Sequence, residues 1–180
     1  MIYMPFCCQF RHLIVICALA LVCACASQTE FLNSDRIERR FGSYGVEVLW
    51  ADDAQRISNL YSNEADGRIC RTFAVVRFEL PLDTRIEVEH SQVVAGASIG
   101  QVFRGAGWRI DKTSLEFGTA RAADFPDLPM MMRIQPTTVL ATYEYRFDVI
   151  RDGLRIPYAT ITEFYHPDYL SLTELQAMPH

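Results

Sequence analysis

Val139-Leu140-Ala141-Thr142-Tyr143-Glu144-Tyr145-Arg146-Phe147-Asp148-Val149 is the stretch on which the fold turns. Its odd-numbered residues are all aliphatic or aromatic, and its even-numbered ones, Leu140 apart, are polar. Successive side chains of a strand point to opposite faces, so this period of two predicts a strand with one core face and one solvated face. Asp152-Gly153 follows, and Leu154 to Tyr165 runs back with similar character. An Asp-Gly pair supplies the two positive φ angles of a type I′ turn, the connection that suits two twisted antiparallel strands. The C-terminal third therefore reads as a long aromatic hairpin.

Working back toward the N-terminus, Ile69 to Leu80 is apolar on both sides. Cys70, Thr72, Ala74, Val76 and Phe78 are expected on one face, with Phe73 and Val75 on the other, as in a central strand covered twice. Tyr44, Val46, Val48 and Trp50 are expected to share a face of an earlier strand. Asp52-Asp53 marks a turn, Arg56 to Ser62 a return strand and Ala65-Asp66-Gly67 a second turn. Trp108 to Phe117 reads as a further strand.

Helices fall between these runs. Asp35-Arg36-Ile37-Glu38, with Gly42 beyond it, predicts a short helix. Pro81 and Asp83 end the central strand and open the main helix, on which Ile86, His90, Val93, Val94 and Ala97 recur at helical spacing; Gly96 and Gly100 weaken its end. Ser171-Leu172-Thr173-Glu174 has the form of a capping box for a short final helix. Thr119 to Pro136, carrying Pro126, Pro129 and Pro136, reads as a long loop, and loops of that length tend to carry function. The expected fold is α+β: an antiparallel sheet of about six strands, one main helix packed on a face, and short N- and C-terminal helices.

The N-terminal segment has a different character. Arg11 and His12 precede an uncharged run from Leu13 to Ala26. Its 14 residues would reach roughly 21 Å as a helix, short of a bilayer crossing but suited to the apolar part of an export signal. Val22-Cys23-Ala24-Cys25 resembles the lipobox of bacterial lipoproteins. That resemblance implies cleavage after Ala24, acylation of Cys25 and a stable multi-chain lipid anchor. Ala26 after the cysteine implies sorting to the outer membrane, with the domain facing the periplasm. Ala24-Cys25-Ala26 also fits an ordinary signal peptidase, whose cut before Ser27 would leave a soluble periplasmic protein. The expected organisation is a signal over 1–24, a short tether over 25–33 and a single domain over 34–180.

Composition narrows the function. The 180 residues carry a net charge of −5 with no basic patch, which argues against a nucleic-acid partner. Of six cysteines, Cys7, Cys8, Cys17 and Cys23 belong to the signal and Cys25 to the lipid. Cys70 is left alone, so the expected mature domain has no disulfide and stands on its core. Cys70 itself reads as a buried small hydrophobe.

Four patterns raise chemistry. Gly96-Ala97-Ser98-Ile99-Gly100 matches G-x-S-x-G, and Ser98, Asp148 and His166 occur in the chain order of an α/β-hydrolase triad. That motif works on a strand-to-helix elbow above a parallel sheet, which this pattern lacks. Glu87-x-x-His90 has the spacing of a di-iron ligand pair, but His90 shares an apolar stripe and reads as a hydrogen-bonded core histidine. Met130-Met131-Met132 offers soft sulfur to Cu(I), or an apolar tip to a partner. Tyr143, Tyr145, Phe147, Tyr158, Phe164 and Tyr165 would line a groove if one sheet face were open. The sequence assigns no catalytic, cofactor-binding or metal-binding residue. Its leading expectation is a non-enzymatic envelope lipoprotein, lipidated at Cys25, that binds an envelope protein or peptide. A Ser98 hydrolase and copper handling by Met130 to Met132 are the alternatives.

Overall fold

A computed structural model describes residues 32–178. The export signal, the lipobox-like segment and Cys25 lie outside these residues. The chain runs α1 (Asn33–Phe41), β1 (Gly45–Ala51), β2 (Gln55–Glu64), β3 (Gly67–Phe78), α2 (Glu87–Val94), α3 (Ile99–Gly105), β4 (Arg109–Arg121), α4 (Leu128–Met132), β5 (Val139–Arg151), β6 (Leu154–Tyr165) and α5 (Leu172–Ala177). The strands form one antiparallel sheet in the order β1-β2-β3-β6-β5-β4. It consists of two three-stranded meanders joined through β3 and β6, with β1 and β4 as edges. The fold is α+β, as the sequence predicts. Among the described residues no helix is long and apolar enough to cross a membrane.

The terminal hairpin forms as its pattern requires. Asp152 and Gly153 take φ of 53° and 78°, the pair of positive angles that an Asp-Gly turn supplies. Ala141, Tyr143, Tyr145, Phe147 and Val149 of β5 all enter the main core. That core lies between the sheet and four helices, which contribute Ile37 from α1, Val93 from α2, Phe103 from α3 and Leu175 from α5. Phe103, wholly buried, packs edge-on to Tyr158 at 4.7 Å between ring centroids. Burial of a side chain of that size stabilises by about 1.5–3 kcal/mol. The aromatic hairpin residues are therefore core rather than the walls of an open groove: Tyr143, Tyr145, Phe147, Tyr158, Phe164 and Tyr165 are all buried.

The predicted single main helix is two. After a 3₁₀ turn at Thr84–Ile86, α2 ends at Val94; Gly96 takes φ of 115°, and α3 begins at Ile99. A left-handed φ halts the helical ladder, and only glycine adopts it cheaply. Among the described residues there are five helices, four of them on one face of the sheet.

The predicted loop from Thr119 to Pro136 is also more ordered than its prolines suggest. Thr119 to Arg121 complete β4, Ala122–Asp124 make a 3₁₀ turn, and α4 follows. Proline is tolerated in a first helical turn because the N–H it lacks would have no partner there, and Pro129 occupies that place. Ala122, Leu128 and Met132 pack with Cys70, Phe73, Val75, Leu140 and Phe164 in a second core, on the other face of the sheet.

Two β-bulges move residues from the faces that strict alternation predicts. In β3 the register against β2 passes from Thr72 to Cys70, leaving Arg71 as the extra residue. Cys70 thereby joins Phe73 and Val75 in the second core, not Ala74 and Val76. In β1 Leu49 is the extra residue, and Trp50 pairs with Ile57 of the second-core face. Trp50 leaves the side of Val46 and is half exposed. One inserted residue reverses every face beyond it.

Both terminal helices are capped by local carboxylates. The Asp35 carboxylate accepts the Leu32 N–H, and Gly42 closes α1 in the left-handed region. The Glu174 carboxylate accepts the Ser171 N–H at 2.7 Å while Ser171 Oγ accepts the Glu174 N–H, the predicted capping box. Leu32 and Asn33, at the end of the stretch read as tether, are buried against the fold.

Candidate functional site

Where α1 and the start of α3 approach the sheet, the main core does not close. A cavity of about 70 Å³ remains beside Asn33 and Ser34 of α1, Tyr44, Arg56, Ser98 and Glu163. Its other walls include Val46, Leu60, Ala74, Val76, Phe147 and Ile161. At roughly 10–15 Å³ per water-sized sphere, it would hold about five to seven waters.

Arg56 is the least expected wall. It projects from β2 into the main core face and is only 2% exposed. Its Nε donates to Ser58 Oγ at 2.7 Å, and its Nη1 donates to the carbonyls of Val93 and Ala97 at 2.7 and 2.8 Å. The guanidinium thus ties down the end of α2 and the turn into α3, where carbonyls lack helical partners. Among the described residues no carboxylate pairs with it and no acceptor meets its Nη2. Burial lowers its pKa, and the Tyr158 and Tyr44 phenols oppose that shift.

Beside Arg56 lie two hydroxyls. Ser98 immediately precedes α3 and hydrogen-bonds the Tyr44 phenol. Burial raises the Tyr44 pKa, while Ser98 and Arg56 pull it down. Elsewhere in the cavity wall, Glu163 is held by donors of its own: Asn33 Nδ2 at 3.0 Å on one oxygen and the Tyr165 hydroxyl on the other. Tyr169 in turn donates to Asn33 Oδ1 at 2.6 Å. This buried chain fastens α1 to β6. Lys112 completes the ring of polar groups, its ammonium 5.1 Å from the Tyr145 ring centre.

The residues of the G-x-S-x-G pattern have structural reasons to be there. Gly96 makes the left-handed turn, and a Cβ on Gly100 would lie 2.7 Å from Leu32 Cδ1, too close for any other residue without a shift. Ser98 sits on the main core face. His166 sits beyond β6 on the opposite side, its Nε2 3.0 Å from the Met132 carbonyl and its Nδ1 accepting the Asp168 N–H. Asp148 is bound by Arg146 and Arg155. The structure therefore does not bring Ser98, Asp148 and His166 together.

The remaining candidates are similarly dispersed. His90 Nδ1 lies 3.2 Å from the Tyr158 hydroxyl and its ring meets Phe78 edge-on, while Glu87 points to solvent. Met132 is fully buried and Met130 is 75% exposed, because positions two apart on a helix face opposite ways. The three thioethers do not converge. Among the described residues no group of three or more His, Cys, Asp or Glu side chains is disposed to hold a metal ion. Cys70 is buried, and burial raises its thiol pKa far above the ordinary value.

Sequence reasoning missed Arg56. The one available signal was a cation inside a run otherwise read as strand, and alternation alone does not say that its face is the buried one. The chain matches no protein-family model, and no curated protein is significantly similar to it.

Proposed function

We propose that this chain is a bacterial envelope lipoprotein, anchored through Cys25 in the outer membrane, whose periplasm-facing α+β domain binds another envelope component without catalysing a reaction. The observation that carries the binding half is the cavity itself. Arg56, Tyr44 and Ser98, with Asn33, Lys112 and Glu163, are polar groups lining a space whose other walls are largely aliphatic and aromatic, as in a recognition site. Nucleophilic catalysis would need a base within hydrogen-bond reach of the nucleophile. Ser98 instead hydrogen-bonds a phenol whose pKa is raised, which makes that phenol a poor base near neutrality.

The anchoring half rests on the lipobox-like Val22-Cys23-Ala24-Cys25. Expression of wild type and Cys25→Ser in a Gram-negative host with labelled fatty acid tests it. Label on the wild type in the outer-membrane fraction, and unlabelled soluble Cys25→Ser, is the expected result. A soluble wild type beginning at Ser27 would show that ordinary signal cleavage operates instead. For the binding half, the membrane-bound chain is captured by affinity. A defined envelope protein that co-purifies in stoichiometric amount is expected; turnover of ester substrates abolished by Ser98→Ala would overturn the non-enzymatic reading.

A further inference from the structure

We propose that the cavity between α1, α3 and the sheet is a binding site for a small free carboxylate with a short aliphatic body, held at its head by Arg56, Tyr44 and Ser98. This deepens the binding reading above and rests on it. Of the other buried charged side chains, Arg71 meets Glu64 at 2.6 Å and Asp148 meets two arginines, while Glu163 and Glu89 are held by neutral donors, Asn33 and Tyr165 for the first and Trp108 for the second. Arg56 is 98% removed from water yet has only neutral partners, with Nη2 left over at the cavity wall.

A buried cation is costly unless an anion or a full shell of acceptors meets it. The two carbonyls and Ser58 supply part of that shell. The phenol of Tyr44 and the hydroxyl of Ser98 lie on the same wall; their mutual hydrogen bond uses one O–H and leaves the other to donate. Arg56 Nη2 and one hydroxyl of the Tyr44–Ser98 pair are left to donate on this wall, which suits a carboxylate: each of its two oxygens can accept from one of them.

The rest of the cavity defines the body of the ligand. Val46, Leu60, Ala74, Val76 and Ile161 offer aliphatic contact, and the space of about 70 Å³ admits a molecule of about six non-hydrogen atoms. Phosphate would match the charge but leave the aliphatic walls unused. Two cations, Arg56 and Lys112, stand against one carboxylate, Glu163, in the wall, so a single negative charge completes the balance. A monoanionic alkanoate of three to five carbons fits charge, shape and volume together.

The test titrates the purified full chain in detergent with butyrate, butyramide, inorganic phosphate and N-acetyl-alanine by calorimetry. Butyrate is expected to bind saturably, and butyramide and phosphate at least tenfold more weakly. N-acetyl-alanine stands for the end of a peptide and is too large for the space; tighter binding of it than of butyrate would overturn the free-molecule assignment. Tyr44→Phe is expected to weaken butyrate about 3- to 10-fold, the usual effect of one neutral hydrogen bond. Arg56→Gln should abolish saturable binding. Because Arg56 also holds the α2–α3 junction, that variant is checked for a cooperative melt; if it does not fold, Tyr44→Phe and the cavity-filling Ala74→Leu decide. Butyrate binding unchanged in both, or no alkanoate binding to the wild type at millimolar concentration, would overturn the proposal. Either failure leaves capture of an envelope protein unaffected, so it is distinct from failure of the binding reading itself.

Discussion

The indole Nε1 of Trp108 donates to the Glu89 carboxylate at 2.9 Å, with both side chains buried. Glu89 lies on α2 and Trp108 just before β4, so this bond fastens the helical layer to the far edge of the sheet. Arg151 covers the outer face of the indole at 3.9 Å from its ring centre. Trp108→Phe would leave a buried carboxylate oxygen without its donor, at a cost of about 1–3 kcal/mol. Glu89→Gln keeps an acceptor and should cost less. Urea unfolding of both variants checks the order; an equal or reversed order would mean that the indole contributes mainly by packing.

Phe147 and Arg146 are neighbours on opposite faces. Phe147 is 2% exposed in the main core, so Phe147→Ala should destabilise by about 3–5 kcal/mol. Arg146 reads as an ordinary solvated residue in the sequence, but it shares the buried Asp148 with Arg155, at 3.2 and 2.7 Å. Arg146→Ala should therefore cost about 1 kcal/mol rather than nothing, because one cation remains on the carboxylate. Combining it with Arg155→Ala should cost more than the sum of the two single changes, since the last partner of a buried charge is then gone. Thermal melts of the three variants test this, and simple additivity would sink it.

His166 and His90 both have pKa values lowered by burial below the ordinary 6.5. Each is held neutral in the folded state and titrates near its ordinary value when unfolded. The unfolded chain then binds more protons as pH falls through 6.5, and stability falls with it. The contribution is fully present above 6.5 and is lost as pH drops toward the folded pKa. His166→Gln should flatten the slope of stability between about pH 7 and pH 5.5. Denaturant midpoints across that range provide the check, and an unchanged slope would remove His166 from the account.

Cys70 is sealed in the second core, and burial keeps its thiol protonated. Only the thiolate is nucleophilic. Cys70 should therefore resist iodoacetamide in the native protein at neutral pH and react readily in urea. Rapid native labelling would mean that α4 lifts from the sheet on the timescale of the reaction.

Local pattern was enough wherever a segment answers to its own residues. Alternation in β5, the Asp152-Gly153 turn, the Ser171–Glu174 capping box and Gly42 at the end of α1 each depend on neighbours a few positions away, and each forms as the sequence implies. The same local rules failed at Leu49 and Arg71. A bulge is decided by how two strands share their ladder, and nothing within either strand announces it. The order in Thr119 to Pro136 escapes local rules for a related reason. α4 spans five residues, too short to persist alone, and stands because Leu128 and Met132 bury against β3 and β6.

Sequence alone thus determined the α+β class, the antiparallel strands and the caps of the first and last helices described, because hydrophobic periodicity and caps are short-range physics. The tertiary structure decided the rest: that the aromatic hairpin is roofed by helices, that Ser98 and His166 lie on opposite sides of one sheet, and that Arg56 is drawn inside. These outcomes depend on which residues meet across long stretches of chain. Val93 and Ala97, the carbonyl partners of Arg56, lie 37 and 41 positions away, and no spacing rule reaches so far.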